Sequence, residues 1–145
     1  MEVPHIKTKL NLSELIGRPY KVAGRGPADY DCWGLCMAVA EKLGFPLPDF
    51  EIPQNNDLRG ELVDRQRAGS FNRIDEPSGG CLVLFRVIDD HDLIKWHVGT
   101  MLPDCRHFIH TTEKMGVNIS ALDRQPWKLF VEGFYVNCQL NTDRI

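Results

Sequence analysis

The sequence predicts an α+β fold in which one helix, with a cysteine at its first position, packs on an antiparallel sheet of five or six strands. Three observations predict it. Residues 32–44 form an apolar, helix-friendly run between Asp31 and Gly44. From residue 81 onward, short apolar runs alternate with turn residues, the pattern of strands. The helical signals precede the strand signals, an order that segregates helices from strands instead of interleaving them.

The elements follow in chain order. Residues 1–12 read as an irregular arm. Ser13 to Gly17 reads as a short helix, capped by Ser13 and ended by Gly17. Residues 18–27 hold prolines and glycines and form a loop. Asp31 suits the N-cap of the next helix and Gly44 the left-handed position past its end. Residues 45–78 read as an insertion or lid. Phe45-Pro46-Leu47-Pro48 breaks the helix, Leu58 to Ala68 has weak helical periodicity, and residues 71–80 lead into the sheet. Leu82 to Val87 is a continuous apolar run, expected of a buried strand. Further strands are expected at 97–102, 106–111, 117–121 and 131–136. Turns are expected at Asp89–Asp92, Pro103-Asp104 and Lys114–Gly116.

The 145 residues suit one domain with a sizeable core. The net charge of −3 argues against a general nucleic-acid binder. No apolar run reaches the roughly 18 residues of a membrane span. The N-terminus lacks the apolar stretch of a secretory signal, so synthesis in the cytoplasm without a signal peptide is expected. Five cysteines is an odd number with no disulfide spacing, which points to reduced thiols. Cys36, Cys81 and Cys138 read as small buried fillers.

Cys32 reads differently. At a helix start, the free backbone N–H groups and the helix dipole favour thiolate over thiol. Strand parity supplies partners: His97, Gly99 and Met101 share one face, as do Phe108 and His110, while Cys105, His107 and Ile109 take the opposite one. A hairpin at Pro103-Asp104 would bring His97 and His110 together. Cysteine, histidine and histidine then form a nucleophile–base–orienter set. The plainer readings are a buried filler cysteine and hydrogen-bonded structural histidines. Zinc on Cys105, His107 and His110 fits no finger spacing, and parity separates His110 from the other two. Tyr20 serves either the site or the packing.

These residues carry a resemblance. Asp31-Cys32-Trp33-Gly34-Leu35, Gly79 to Phe85, His97-Val98-Gly99-Thr100-Met101-Leu102, Phe108-Ile109-His110, Gly116-Val117 and Gly133-Phe134-Tyr135 resemble, in order, the NlpC family of papain-like cysteine peptidases. The likeness covers residues 14–137 and is strongest to NlpC-type proteins encoded beside phage tail genes. It implies the papain-like NlpC fold and cleavage of peptidoglycan stem peptides, typically between γ-D-glutamate and a diamino acid, without metal or cofactor. It makes Cys32 the nucleophile, His97 the base and His110 the third polar residue. Tyr20, Asp31 and Trp33 complete the expected oxyanion and substrate-binding set. The expected partners are the stem peptide and phage tail proteins, with the virion as a place of action.

The chain departs from the family at several positions. Trp33 replaces the usual serine, and its indole is expected to narrow the cleft or change its acceptor side. Ala23-Gly24 replaces a glycine pair, and Cys81 an acidic residue. The step from His97 to His110 is one residue longer than usual, which makes His107 a rival that parity disfavours. Other readings are a phage tail-tip assembly subunit with weak or no hydrolysis, a cysteine amidase or acyltransferase on another amide, and a thiol redox or metal-binding module.

Overall fold

The structure, a computed structural model, describes residues 11–49, 69 and 71–138. Its long helix, α1, spans Cys32–Leu43. Six strands follow: β1 (Phe71–Ile74), β2 (Leu82–Ile88), β3 (Ile94–Met101), β4 (His107–Thr112), β5 (Gly116–Ala121) and β6 (Val131–Asn137). A single helical turn, α2 (Trp127–Phe130), precedes β6. The strands form one sheet in the order β1-β6-β2-β3-β4-β5, and every pair is antiparallel. No helix among the described residues is long and apolar enough to cross a membrane.

Register decides which residues meet α1. Leu84 lies opposite Val98, and Thr100 opposite Ile109. Leu82, Leu84, Val98, Ile109 and Val117 therefore share the face that packs on Leu35, Val39 and Leu43 of α1. The alternate residues Val83, Phe85, Met101 and Phe108 fill a second core on the opposite face, covered by Trp127 and Phe130. Leu82 to Phe85 are thus buried on both faces, which explains their unbroken apolar run.

Three expectations need restating. Residues 13–17 form turns, not a helix. Asn11 is the cap there, because its Oδ1 accepts from Ser13 N and Oγ at 2.9 and 2.6 Å. Phe71–Ile74, read as a lead-in within the insertion, is an edge strand paired with Phe134–Asn137. The remaining insertion from residue 50 to 68, including the weak helix at 58–68, lies outside the described residues, as does the arm up to residue 10.

Candidate active site

The site begins at the start of α1. Asp31 is extended (φ −89°, ψ −179°), and its Oδ1 accepts from Gly34 N at 2.6 Å. This satisfies one of the donors that every helix start leaves free. Gly34 permits the arrangement, since a Cβ there would lie 2.1 Å from the Gly24 carbonyl oxygen. Only glycine lets the 24–31 loop lie on the first turn. Asp31 is buried, and Arg25 meets its charge with Nη1 at 2.7 Å from Oδ1. Arg25 also donates from Nε to Asp49 at 2.9 Å.

Cys32 follows directly and is buried. Burial, and secondly the charge of Asp31, push its thiol up to about 12, while backbone groups of Val98, Trp33 and Cys32 itself pull the other way. The expectation of a ready thiolate is therefore not met. Lifting a thiol from 9 to about 12 takes roughly 4 kcal/mol. A helix start supplies only about 0.3–2 kcal/mol.

The histidines come from β3 and β4. His97 Nε2 and His110 Nδ1 are 2.8 Å apart. His110 Nε2 lies 2.8 Å from Ser120 Oγ. Gly99 makes room for the pair: a Cβ there would lie 2.9 Å from the Ile109 carbonyl oxygen and 3.2 Å from His110 Cβ. Aromatic rings enclose them. Trp127 stacks on His97 (centroids 5.4 Å, 28°) and meets His110 edge-on (4.8 Å, 88°). Phe85 lies against His97 and Phe108 against His110. Burial, then the neighbouring His110, lowers His97 to about 3. Burial lowers His110 to about 4, opposed by a hydrogen bond that the ring donates to Asn118. Both rings are neutral at pH 7.

Cys32 and His97 line one cavity of about 230 Å³. Tyr20 forms part of its wall, held beside the N-cap by Lys21 N to Tyr30 O (3.1 Å) and Tyr30 N to Pro19 O (3.1 Å). Burial pushes its hydroxyl up to about 12, so it is a neutral donor at pH 7. Trp96 and Trp127 supply flat apolar walls, while Lys95 and Glu113 supply charges of opposite sign. A larger cavity of about 390 Å³ flanks α1 elsewhere, and neither cysteine nor histidine lines it.

Two expected residues sit elsewhere. Trp33 does not narrow the cleft. It is fully buried in the core with α1, and its indole N–H donates to the Pro48 carbonyl at 2.9 Å. Successive helix residues diverge by about 100°, which turns Trp33 away from the neighbouring Cys32. Asp31 is absent from the cavity wall and caps the helix, although its Oδ2 is buried with no hydrogen-bond partner among the described residues. His107 bonds Asp104 instead, with Nδ1 2.6 Å from Oδ2.

Sequence reasoning missed Arg25, Ser120, Asn118 and Trp127. Nothing local marks Arg25 or Trp127. The turn at Lys114–Gly116, however, fixes the β4–β5 register, which sets His110 opposite Asn118.

The profile of the NlpC/P60 family matches residues 17–135. The chain belongs to the NlpC/P60 family. Solved NlpC/P60 structures share its fold. A protein similar to lipoprotein, of the NLP/P60 family, from Staphylococcus aureus superposes with a TM-score of 0.60 at 22% identity, over 92% of this chain and 41% of that one. NlpC2 from Trichomonas vaginalis gives 0.58 at 20%, over 92% and 46%. The NlpC/p60 domain of the peptidoglycan hydrolase SagA gives 0.53 at 20%, over 93% and 95%. The chain thus spans less than half of the first two and nearly all of the last. No curated protein sequence matches it.

Proposed function

We propose that this NlpC/P60 chain is a cysteine peptidase that cleaves peptidoglycan stem peptides at the γ-D-glutamyl–diamino acid bond. The observation that carries the reading is the shared cavity of Cys32 and His97, with His97 held from behind by His110. Cys32 sulfur attacks the scissile carbonyl while its proton passes to His97. Because thiol and imidazole start neutral, the proton moves as the bond forms, as in a serine–histidine pair. The backbone N–H at the helix start, with the Tyr20 hydroxyl, stabilises the oxyanion. His97 then protonates the leaving amine, and water activated by His97 releases the acyl group.

Opposite charges at Lys95 and Glu113 suit a substrate with a carboxylate on one side of the scissile bond and an ammonium on the other, as a γ-glutamyl–diamino acid has. Incubation with purified muropeptides, read by mass spectrometry, tests the reading. Wild type should release fragments cut after γ-D-glutamate, and Cys32→Ala should release none. Equal release by Cys32→Ala would overturn it. Delivery with a phage tail to the cell envelope completes the proposal, supported by the sequence resemblance alone. Finding the chain in purified virions would test that part.

A further inference from the structure

The hydrogen bonds behind His110 continue, and their direction is fixed from the far end. The Gly116 carbonyl can only accept. Asn118 Nδ2 donates to it at 2.8 Å. That turns Asn118 Oδ1 toward Ser120, whose Oγ donates at 3.2 Å. A serine hydroxyl has one proton. Toward His110, Ser120 can therefore only accept, so His110 Nε2, 2.8 Å away, carries the N–H. A neutral imidazole has one N–H. His110 Nδ1 is then a lone pair, and it accepts from His97 Nε2 at 2.8 Å.

His97 is left with its proton on Nε2 and a free lone pair on Nδ1. The opposite direction fails at the same atoms. If Ser120 donated to His110, its oxygen would face Asn118 Oδ1 at 3.2 Å with no proton between them. His110 would donate from Nδ1, and His97 would carry its proton on Nδ1. No lone pair would then be left for the thiol proton.

We propose that Asn118 and Ser120 are positioning residues: acting through His110, they hold His97 in the Nε2–H tautomer and so reserve Nδ1 for the Cys32 proton. This rests on the reading of His97 as the base. In the reaction the sulfur–carbon bond forms as the thiol proton passes to Nδ1. The Nε2–H stays hydrogen-bonded to His110, and no proton moves further along the chain of bonds.

The test combines long-range ¹⁵N–¹H spectra of the histidine rings with kinetics on the tripeptide L-alanyl-γ-D-glutamyl-meso-diaminopimelate. Wild type should show Nε2–H for both His97 and His110. Ser120→Ala should give mixed tautomers. Asn118→Leu frees the Ser120 proton for His110 and should shift His97 toward Nδ1–H. Both variants should lose about 10- to 100-fold in kcat, the usual scale for a partner that orients a reacting group, with KM unchanged. Ser120→Thr, which keeps the hydroxyl, should restore tautomer and kcat together. An Nδ1–H His97 in wild type overturns the proposal, as do variants that keep the wild-type tautomer and kcat, or a Ser120→Thr that fails like Ser120→Ala. A wild type that leaves the tripeptide intact overturns the peptidase reading, and the spectra then decide the tautomer proposal alone.

Discussion

Cys32 stands where the helix start draws its proton off, and burial keeps the proton on. The larger effect decides reactivity. Cys36 and Cys81 are buried as expected, but Cys138, expected as a buried filler, is exposed just past the end of β6. Iodoacetamide should therefore modify Cys32 more slowly at pH 7 than the exposed Cys105 and Cys138. The Cys32 rate should still be climbing at pH 9, because the burial that pushes the thiol up to about 12 leaves little thiolate below that. Peptide mapping after timed labelling checks this, and fastest labelling at Cys32 would refute it. The same reasoning applies to His97, which burial lowers to about 3. Trp127 is a removable part of that burial, since it stacks on the ring from the one-turn helix α2. Trp127→Ala should let water reach His97 and raise its pKa toward 6.5, measured by NMR titration. An unchanged value would mean that Phe85 and the strand backbones alone exclude water.

At the scale of elements, α1 holds Cys32 through its cap. Asp31→Ala removes the acceptor for Gly34 N and one partner of Arg25, which keeps Asp49. The expected loss is about 1–2 kcal/mol, the upper range for an N-cap, read as a lower urea midpoint with unchanged slope. Both ends of α1 were legible in the sequence because caps are local: Asp31 and Gly44 act on backbone a few residues away. β1 was not legible in the same way. It has four residues, and its partners Phe134–Asn137 lie some sixty positions on, so no local pattern announces the pairing. The face of Trp33 is not legible either: adjacency to Cys32 in the chain suggests adjacency in the cleft, and helical rotation sends the indole into the core. Strand parity worked better, because period two is rigid over a few residues. It paired His97 with His110 and set His107 aside.

For the whole molecule, the cost of building the site appears in the pH dependence of folding. Two imidazoles sit between cores of Phe85, Phe108 and Trp127, lowered by burial to about 3 and about 4. In the unfolded chain both titrate near 6.5. Above that pH, folded and unfolded states carry the same histidine charge, and the fold keeps its full stability. As pH falls below about 6.5, the unfolded chain takes up protons that the folded one refuses, so stability drops until the folded rings titrate. Carboxylates add their own loss lower down. Asp104, held at about 2 first by the backbone N–H groups of His107 and Arg106, loses its advantage only as pH falls below the ordinary carboxylate range near 4. The interval from about pH 6.5 to 5 therefore belongs mainly to histidine. Urea midpoints should fall steadily across it in wild type. His97→Gln and His110→Gln should each flatten that slope, whatever they do to stability at pH 7. A wild-type midpoint that stays level from pH 7 to 5 would show that the histidine pair takes up its protons in the folded state, and that the aromatic box does not keep the pair neutral.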